Sequence, residues 1–277
     1  MPRPRSTPIP TTAPVAKGGK RAAGDRQFAT ALARGLEVLR AFNGDEYWLA
    51  NQEIARRSKL TRPTVSRLTY TLTRLGYLSY DEKLRKYGVA IGVLSLVQPI
   101  LKRIELRHFV RPLMQAYADK VNAAVGLGTA DGLDALYLDV CRGAEAVTVR
   151  LDPGSRIDLA TSAMGRALFA ALGSEAQGDV LRRCEKRDPR NFKRIERGLL
   201  NAVDDVRERG FCMSTSDWSK DVNGVGVPLR LEQGGMVFAL NCGGAAWTLP
   251  RKRLETVVGP GLVKLGDRIA GTTLSLG

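Results

Sequence analysis

Between Thr61 and Thr71 the chain reads TRPTVSRLTYT, and six of these residues carry groups suited to hydrogen-bonding chemistry from one face of a helix. Arg62 and Arg67 supply planar guanidinium forks, while Thr64, Ser66, Tyr70 and Thr71 supply hydroxyls. A fork donates two parallel bonds to a guanine edge or a phosphate, and a hydroxyl both donates and accepts, so the set suits a groove of double-stranded DNA. Lys83, Arg85 and Lys86 form a second cationic cluster suited to phosphate oxygens. The competing readings are solvated surface arginines and a head of the same shape that contacts protein. Bond-making chemistry is not suggested. One histidine, His108, stands in a stretch rich in leucine and arginine, and Cys141, Cys184, Cys212 and Cys242 form no CxxC pair. No phosphate-binding loop, HExxH or GxSxG motif occurs, so no enzyme, metal site or cofactor is expected.

Those side chains need elements to hold them. In residues 27–42, Phe28, Leu32, Leu36 and Leu39 recur at spacings of three and four, which predicts an amphipathic helix stopped by Asn43-Gly44. Asn51 is the expected N-cap of a second helix over 52–58; a capping box would need Glu or Gln at 54, where Ile54 stands. Lys59-Leu60 predicts a turn with Leu60 plugging the core. Thr61 then caps a third helix with Pro63 in its first turn and Val65, Leu68, Leu72 and Leu75 on its inner face. Gly76 closes that helix, residues 77–80 read as a strand, 81–84 as a turn and 85–87 as the return. The prediction is a winged helix-turn-helix over 27–88.

Charge is distributed accordingly. The 277-residue chain carries +15 overall, but residues 1–92 hold 17 Lys/Arg against 7 Asp/Glu and residues 93–277 hold 26 against 21. A basic head therefore precedes a nearly balanced remainder, which favours a polyanionic partner for the head. Residues 1–26 contain five prolines in their first 14 positions and no hydrophobic period, predicting a disordered basic tail. No apolar run long enough for a membrane span occurs, and the four cysteines read as reduced thiols.

Residues 89–102 read as a linker helix. In 100–120, Leu106, Val110, Met114 and Tyr117 repeat at helical spacing with Pro112 expected to kink or restart the run, and apolar surface here would make a dimer seam. Residues 103–277 form the larger domain, with strands at 124–129, 135–139, 146–151, 224–229 and 236–241 and helices at 161–172, 173–183, 191–209 and 250–269. An antiparallel sheet with helices packed on it is the economical α+β arrangement.

Several segments together resemble the IclR type of transcriptional regulator: ALARGLEVLRAF at 31–42, LANQEIARRSKLTRPTVSRLTYTLTRLGYL at 49–78, PGSRIDLATSAMGRALFAAL at 153–172, GF at 210–211 and DVNGVGVPL at 221–229. The resemblance implies an N-terminal winged helix-turn-helix domain followed by an α+β, GAF-like domain that binds a small effector, with helices on one face of a curved sheet and the pocket on the other. It implies a cytoplasmic homodimer, often a dimer of dimers, on a pseudo-palindromic operator, with repression the commoner outcome. It also suggests an effector lining of Ala163, Met164, Asp217, Trp218, Val227, Asn241 and Gly243. Valine at 227, asparagine at 241 and glycine at 243 depart from the cysteine and two serines of the glyoxylate-responsive branch, so a larger, partly aromatic or apolar carboxylate or phenol is the expected ligand. Asp217 reads equally as a turn or cap residue and Trp218 as ordinary core, while Arg150 would neutralise an acid or remain solvated. Cys242, alternating with Asn241, should point into the core. Two other classes share the head: an architectural DNA-binding protein with a ligand-free dimerisation domain, and a protein-interaction scaffold.

Overall fold

The computed structural model describes residues 28–42, 46–96, 106–144, 151–229 and 237–274, and the chain divides into two compact units between Ile104 and Glu105. The first unit contains α1 (Thr30–Arg40), β1 (Trp48–Leu49), α2 (Asn51–Ser58), α3 (Arg62–Arg74), β2 (Leu78–Asp81) and β3 (Lys86–Val89). Val38, Leu49, Ile54, Val65, Leu72 and Leu78 are buried together, with Leu60 packed against them from the turn between α2 and α3. Lys59 makes that turn in a left-handed conformation, φ 57°. Gly76, φ 77°, ends α3, where the Tyr77 amide donates back to the Leu72 carbonyl at 2.9 Å. The three strands pair antiparallel in the order β1-β3-β2.

Four details of this unit differ from expectation. Asn51 is the first helical residue rather than the cap; Ala50 takes the cap position, with no side-chain bond. Thr61 does occupy the next cap position, but its hydroxyl meets that of Thr64 at 2.9 Å instead of a backbone amide. Leu75 is exposed because it follows the last helical residue and α3 has already turned away. On α1 the buried residue is Val38, whereas Leu32 and Leu36 are 65 and 45% exposed and Phe28, just before the helix, is 60% exposed. Amphipathic spacing identifies an apolar face but not whether it covers its own core or a partner's. The expected stop at Asn43-Gly44 lies outside the described residues. Of the linker helix expected at 89–102, Val89 belongs to β3, residues 90–92 are not helical, residues 93–96 are helical, and 97–102 lie outside the described residues.

The second unit is built on a six-stranded antiparallel sheet ordered β6-β5-β4-β9-β8-β7. Its strands are β4 (Ala124–Asp131), β5 (Asp134–Arg142), β6 (Arg156–Asp158), β7 (Cys212–Thr215), β8 (Val222–Leu229) and β9 (Phe238–Ala245). The helices are α4 (Leu106–Val121), α5 (Ala163–Ala171), α6 (Ser174–Arg187), α7 (Phe192–Arg209), α8 (Arg251–Arg253) and, after a π turn at Leu254–Val258, α9 (Gly259–Leu274). Pro112 lies inside α4, which runs on as one helix. The short edge strands β6 and β7 were not expected. The expected strand at 146–151 falls outside the described residues except for Leu151, which is not in a strand.

Strand alternation sorts the side chains into two layers. Val125, Leu127, Val225, Val227, Leu240 and Cys242 point to one face and pack with Val110, Met114, Leu262 and Ile269 of α4 and α9. Tyr137, Ala239 and Cys212 point to the other and meet Met164, Ala167 and Leu168 of α5. Helices therefore cover both faces, correcting the expectation that they keep to one. Close approach of α5 depends on bare main chain: a Cβ at Gly226 would lie 2.1 Å from the Ala163 carbonyl oxygen, and one at Gly165 would lie 2.2 Å from that of Leu159.

None of the four cysteines is in a disulfide, and all are buried. Burial pushes the Cys212 and Cys242 thiols up to about 12, and Cys184 also upward. The thiolate is the reactive form. A thiol-exchange reagent at mildly alkaline pH should therefore give no fast reaction with the native protein and count four thiols per chain after denaturation. A fast native phase would contradict the burial of these residues.

Candidate functional site

The first unit brings the cationic residues together on α3 and the hairpin. Val65, Thr69 and Leu72 face inward, which leaves Arg62, Ser66, Arg67, Tyr70 and Thr71 exposed and Thr64 half-buried. Thr71 donates its hydroxyl to the Arg67 carbonyl at 3.0 Å, so only its lone pairs remain for a ligand. The contrast between arginines is informative. Arg40 pairs with Glu37 at 2.9 Å, Arg56 with Glu53, and Arg57 with Glu46 and Glu53. These two guanidinium groups hold the Glu53 carboxyl well below its usual range, at about 2. Arg62 and Arg67, by contrast, form no ion pair with a described carboxylate. Arg40, Arg56 and Arg57 are neutralised within the fold, whereas Arg62 and Arg67 on α3, like Arg34 on α1, meet no described carboxylate and are left for an outside anion.

The hairpin is held beside them by local bonds. Asp81 pairs with Lys86 across the two strands, its carboxylate accepts the Leu84 amide at 2.8 Å, and Arg85 turns the chain at φ 50°. Tyr80 and Tyr87 pack with ring centroids 4.8 Å apart, bracing the two arms. Lys83, Arg85 and Lys86 are all exposed. The third strand, β1, was missed in the sequence because it is only two residues long.

In the second unit a cavity of about 50 Å³ lies between the sheet and the start of α5. Ala163, Trp218, Asn241 and Gly243 line it, together with Tyr137 and Asn223, which the sequence did not single out. Gly126 and Gly224 contribute bare backbone. Tyr137 is fully enclosed, so burial pushes its phenol well above its usual value and it stays neutral. The Asn241 amide donates to its hydroxyl at 3.1 Å, and the Asn223 amide donates to the Leu249 carbonyl at 3.0 Å. The Oδ1 atoms of both asparagines are buried without a hydrogen-bond partner. Asn241 Oδ1, on the α5 side of the sheet, favours a ligand with a donor such as a hydroxyl, whereas Asn223 shares the face of Val225 and Val227 and turns its amide to the α4/α9 layer. Turning the Asn241 amide over would let Tyr137 donate to Oδ1 and release two N–H donors toward a carboxylate. At the start of α5, Ser162 accepts the Gly165 amide at 3.1 Å, and the earlier first-turn amides have no acceptor inside the helix.

Three expected lining residues are elsewhere. Val227 faces the α4/α9 layer, because Val227 pairs with Leu240 and shares its face, whereas Gly226 pairs with Asn241. Met164 is buried one step into α5 and lies over Gly128, where a Cβ would meet its sulfur at 2.3 Å. Asp217 does not reach the cavity: it lines a separate polar cleft and pairs with Arg166 at 2.9 Å. Ser216, φ 60°, turns the chain just before it, and the neighbouring Trp218 goes into the cavity instead. Arg150 lies outside the described residues. Cys242 is buried in the α4/α9 layer. Among the described residues there is no cluster of His, Cys, Asp and Glu that could hold a metal, and no helix is long and apolar enough to cross a membrane.

A winged helix-turn-helix whose Arg62 and Arg67 meet no described carboxylate, followed by an α+β unit with a largely apolar cavity, defines a ligand-responsive DNA-binding regulator. Comparison with known proteins agrees: residues 31–82 match the IclR helix-turn-helix domain and residues 98–265 match the bacterial transcriptional regulator IclR C-terminal family, so the chain belongs to the IclR family of transcriptional regulators. It is 30% identical over 249 residues to the Pca regulon regulatory protein of Pseudomonas putida, spanning 89% of this chain and 84% of that one. A crystal structure of an IclR family transcriptional regulator from Brucella abortus is 42% identical, with a TM-score of 0.74 over 94% of this chain and 99% of that one. An IclR homologue from Microbacterium hydrocarbonoxydans, solved with 4-hydroxybenzoate, shares the fold at 22% identity, with a TM-score of 0.69 over 89% of this chain and 100% of that one. These relatives are regulators and not enzymes.

Proposed function

We propose that this protein is a cytoplasmic repressor that binds a pseudo-palindromic operator as a homodimer or pair of dimers, and that a small aromatic or other organic acid in the cavity alters that binding. The observation that carries the DNA reading is that Arg62 and Arg67 pair with no described carboxylate, beside acid-paired Arg40, Arg56 and Arg57. In this reading α3 places Arg62, Thr64, Ser66, Arg67, Tyr70 and Thr71 at base edges and phosphates, and Lys83, Arg85 and Lys86 hold the backbone. The exposed Phe28 just before α1 and Leu32 and Leu36 on it, spaced by four, supply an apolar stripe suited to a second copy.

The effector reading draws on the cavity and on the 4-hydroxybenzoate bound by the Microbacterium relative. Tyr137 and Trp218 offer flat apolar walls, and Asn241 and the α5 amides offer polar anchors for a hydroxyl and a carboxylate. A dry cavity that holds benzene is about 150 Å³, so the roughly 50 Å³ here must enlarge, with half-buried Trp218 the side chain placed to move. That movement gives the acid a preference for one conformation, which is what a population shift requires. The test is operator binding at fixed salt against a panel of aromatic and aliphatic carboxylates. Asn241→Ala should weaken the response to the active acid about tenfold or more, the scale of a lost hydrogen bond to a charged group, with acid-free operator affinity unchanged. An unaltered acid titration in that variant would remove Asn241 from the site.

A further inference from the structure

We propose that the polar cleft containing Asp217 is a second ligand site, distinct from the cavity, for a small hydroxylated anion bearing a phosphate or carboxylate group. The cleft measures about 260 Å³, close to the lower end of ligand pockets at about 300–1,000 Å³. It opens between α5, α7, β7 and the start of α8. Four arginines reach it: Arg166, Arg194, Arg197 and Arg251.

Arg166 is a built component and not a loose surface charge. Its side chain is 12% exposed, and it donates to the carbonyls of Ala160 at 3.2 Å and Met213 at 2.8 Å and to Asp217 at 2.9 Å. These bonds use Nε and Nη1. Nη2 lies over Gly198, where a Cβ would come within 2.8 Å of it, so a glycine on α7 leaves room for the guanidinium edge. Arg194 and Arg197 stand one turn apart on the same helix, both exposed, and neither forms an ion pair with a described carboxylate. Asp188, which Arg194 influences, is instead hydrogen-bonded to the Asn191 amide at 2.8 Å. Further along α7 the arginines are neutralised, Arg207 by Asp204 and Arg209 by Asp205. Arg251 is held by Glu255 at 2.8 Å.

The lining also contains acceptors, which decides the ligand class. Asp205 and Asp217 each have one oxygen engaged by an arginine, leaving the other for an incoming hydroxyl. Thr161, Thr215 and Asn201 add neutral donors and acceptors. A bare anion would leave these acceptors facing its charge. A molecule with an anionic end on Arg166, Arg194 and Arg197 and hydroxyls on the aspartates satisfies both sets.

Calorimetric titration of the full chain with ribose 5-phosphate and gluconate separates the two anionic forms, with inorganic phosphate and glycerol as the halves. Saturable binding of either hydroxylated anion supports the site, and the tighter of the two names its anionic group. Arg194→Ala/Arg197→Ala should weaken that binding about tenfold or more, while circular dichroism stays unchanged because both side chains are exposed. The proposal is overturned if neither anion binds saturably, or if the double variant binds as well as the parent. It is also overturned if inorganic phosphate alone binds as tightly as ribose 5-phosphate, or if the anions compete one-for-one with an aromatic acid for the cavity. Loss of operator affinity in the double variant, without any small-anion binding, would reassign the arginines to DNA.

Discussion

Arg67→Ala should weaken operator binding by about 10- to 100-fold, the loss expected for one bidentate base or phosphate contact worth roughly 1–3 kcal/mol. Arg40→Ala should leave it within about twofold, because that arginine is held in an exposed ion pair of small energetic weight. Both variants should melt as the parent does, since neither side chain is buried. The comparison isolates what α3 contributes: the two residues share charge and exposure but differ in whether the fold already supplies a carboxylate. If Arg67 reads a base, the loss is concentrated on the matching operator and is smaller on mutated sequence. If it only touches phosphate, the loss is uniform and the salt slope falls by about one. Equal, negligible losses for both variants would remove Arg67 from the interface.

The second large effect is on stability. Gly226→Ala places a Cβ against the main-chain oxygen of Ala163, 2.1 Å away on the structure as it stands, and a backbone carbonyl at a helix start has little freedom to retreat. Overpacking of this kind costs about 1–3 kcal/mol and here should reach the upper end. For a unit of this size that lowers the melting temperature by roughly 6–12 °C. Gly243→Ala is the matched control on the neighbouring strand, where the nearest atoms would be 3.6 and 3.7 Å away. Equal melting of the two variants would mean that α5 does not sit on β8 as described.

The head was largely legible from its residues because local signals coincide there: helical spacing, the Lys59-Leu60 turn, Pro63 in a first turn and Gly76 at a helix end. What was lost depends on distant partners. Trp48-Leu49 becomes a strand only by pairing with Tyr87 and Gly88, and the apolar spacing of α1 gives no sign that Phe28, Leu32 and Leu36 face outward. In the larger unit the resemblance located α5, Trp218, Asn241 and Gly243 near one another, but a matched position in a family does not specify a face. Val227 failed on parity, and parity was partly available in the sequence: GLG on β4 and NGVGV on β8 alternate small and large, marking where a close approach is needed. The pairing of Gly226 with Asn241, which decides which members share the cavity, is a tertiary fact. Asp217 failed because a bend at Ser216 sends consecutive side chains into different spaces, and nothing in the residue types announces it.

The glycines around the cavity have a further consequence for how ligand choice can change. At Gly126 an added carbon would strike the Tyr137 ring at 2.4 Å, and at Gly224 it would crowd the Cys242 carbonyl oxygen at 3.1 Å, so neither position can be filled without shifting its neighbours. Gly243 alone of these three has van der Waals room. The site can therefore be reshaped by single substitutions from one corner while the remaining floor is locked by its own architecture. Selectivity is adjustable where stability is indifferent, and a regulator so arranged can acquire a new signal without first relearning how to fold.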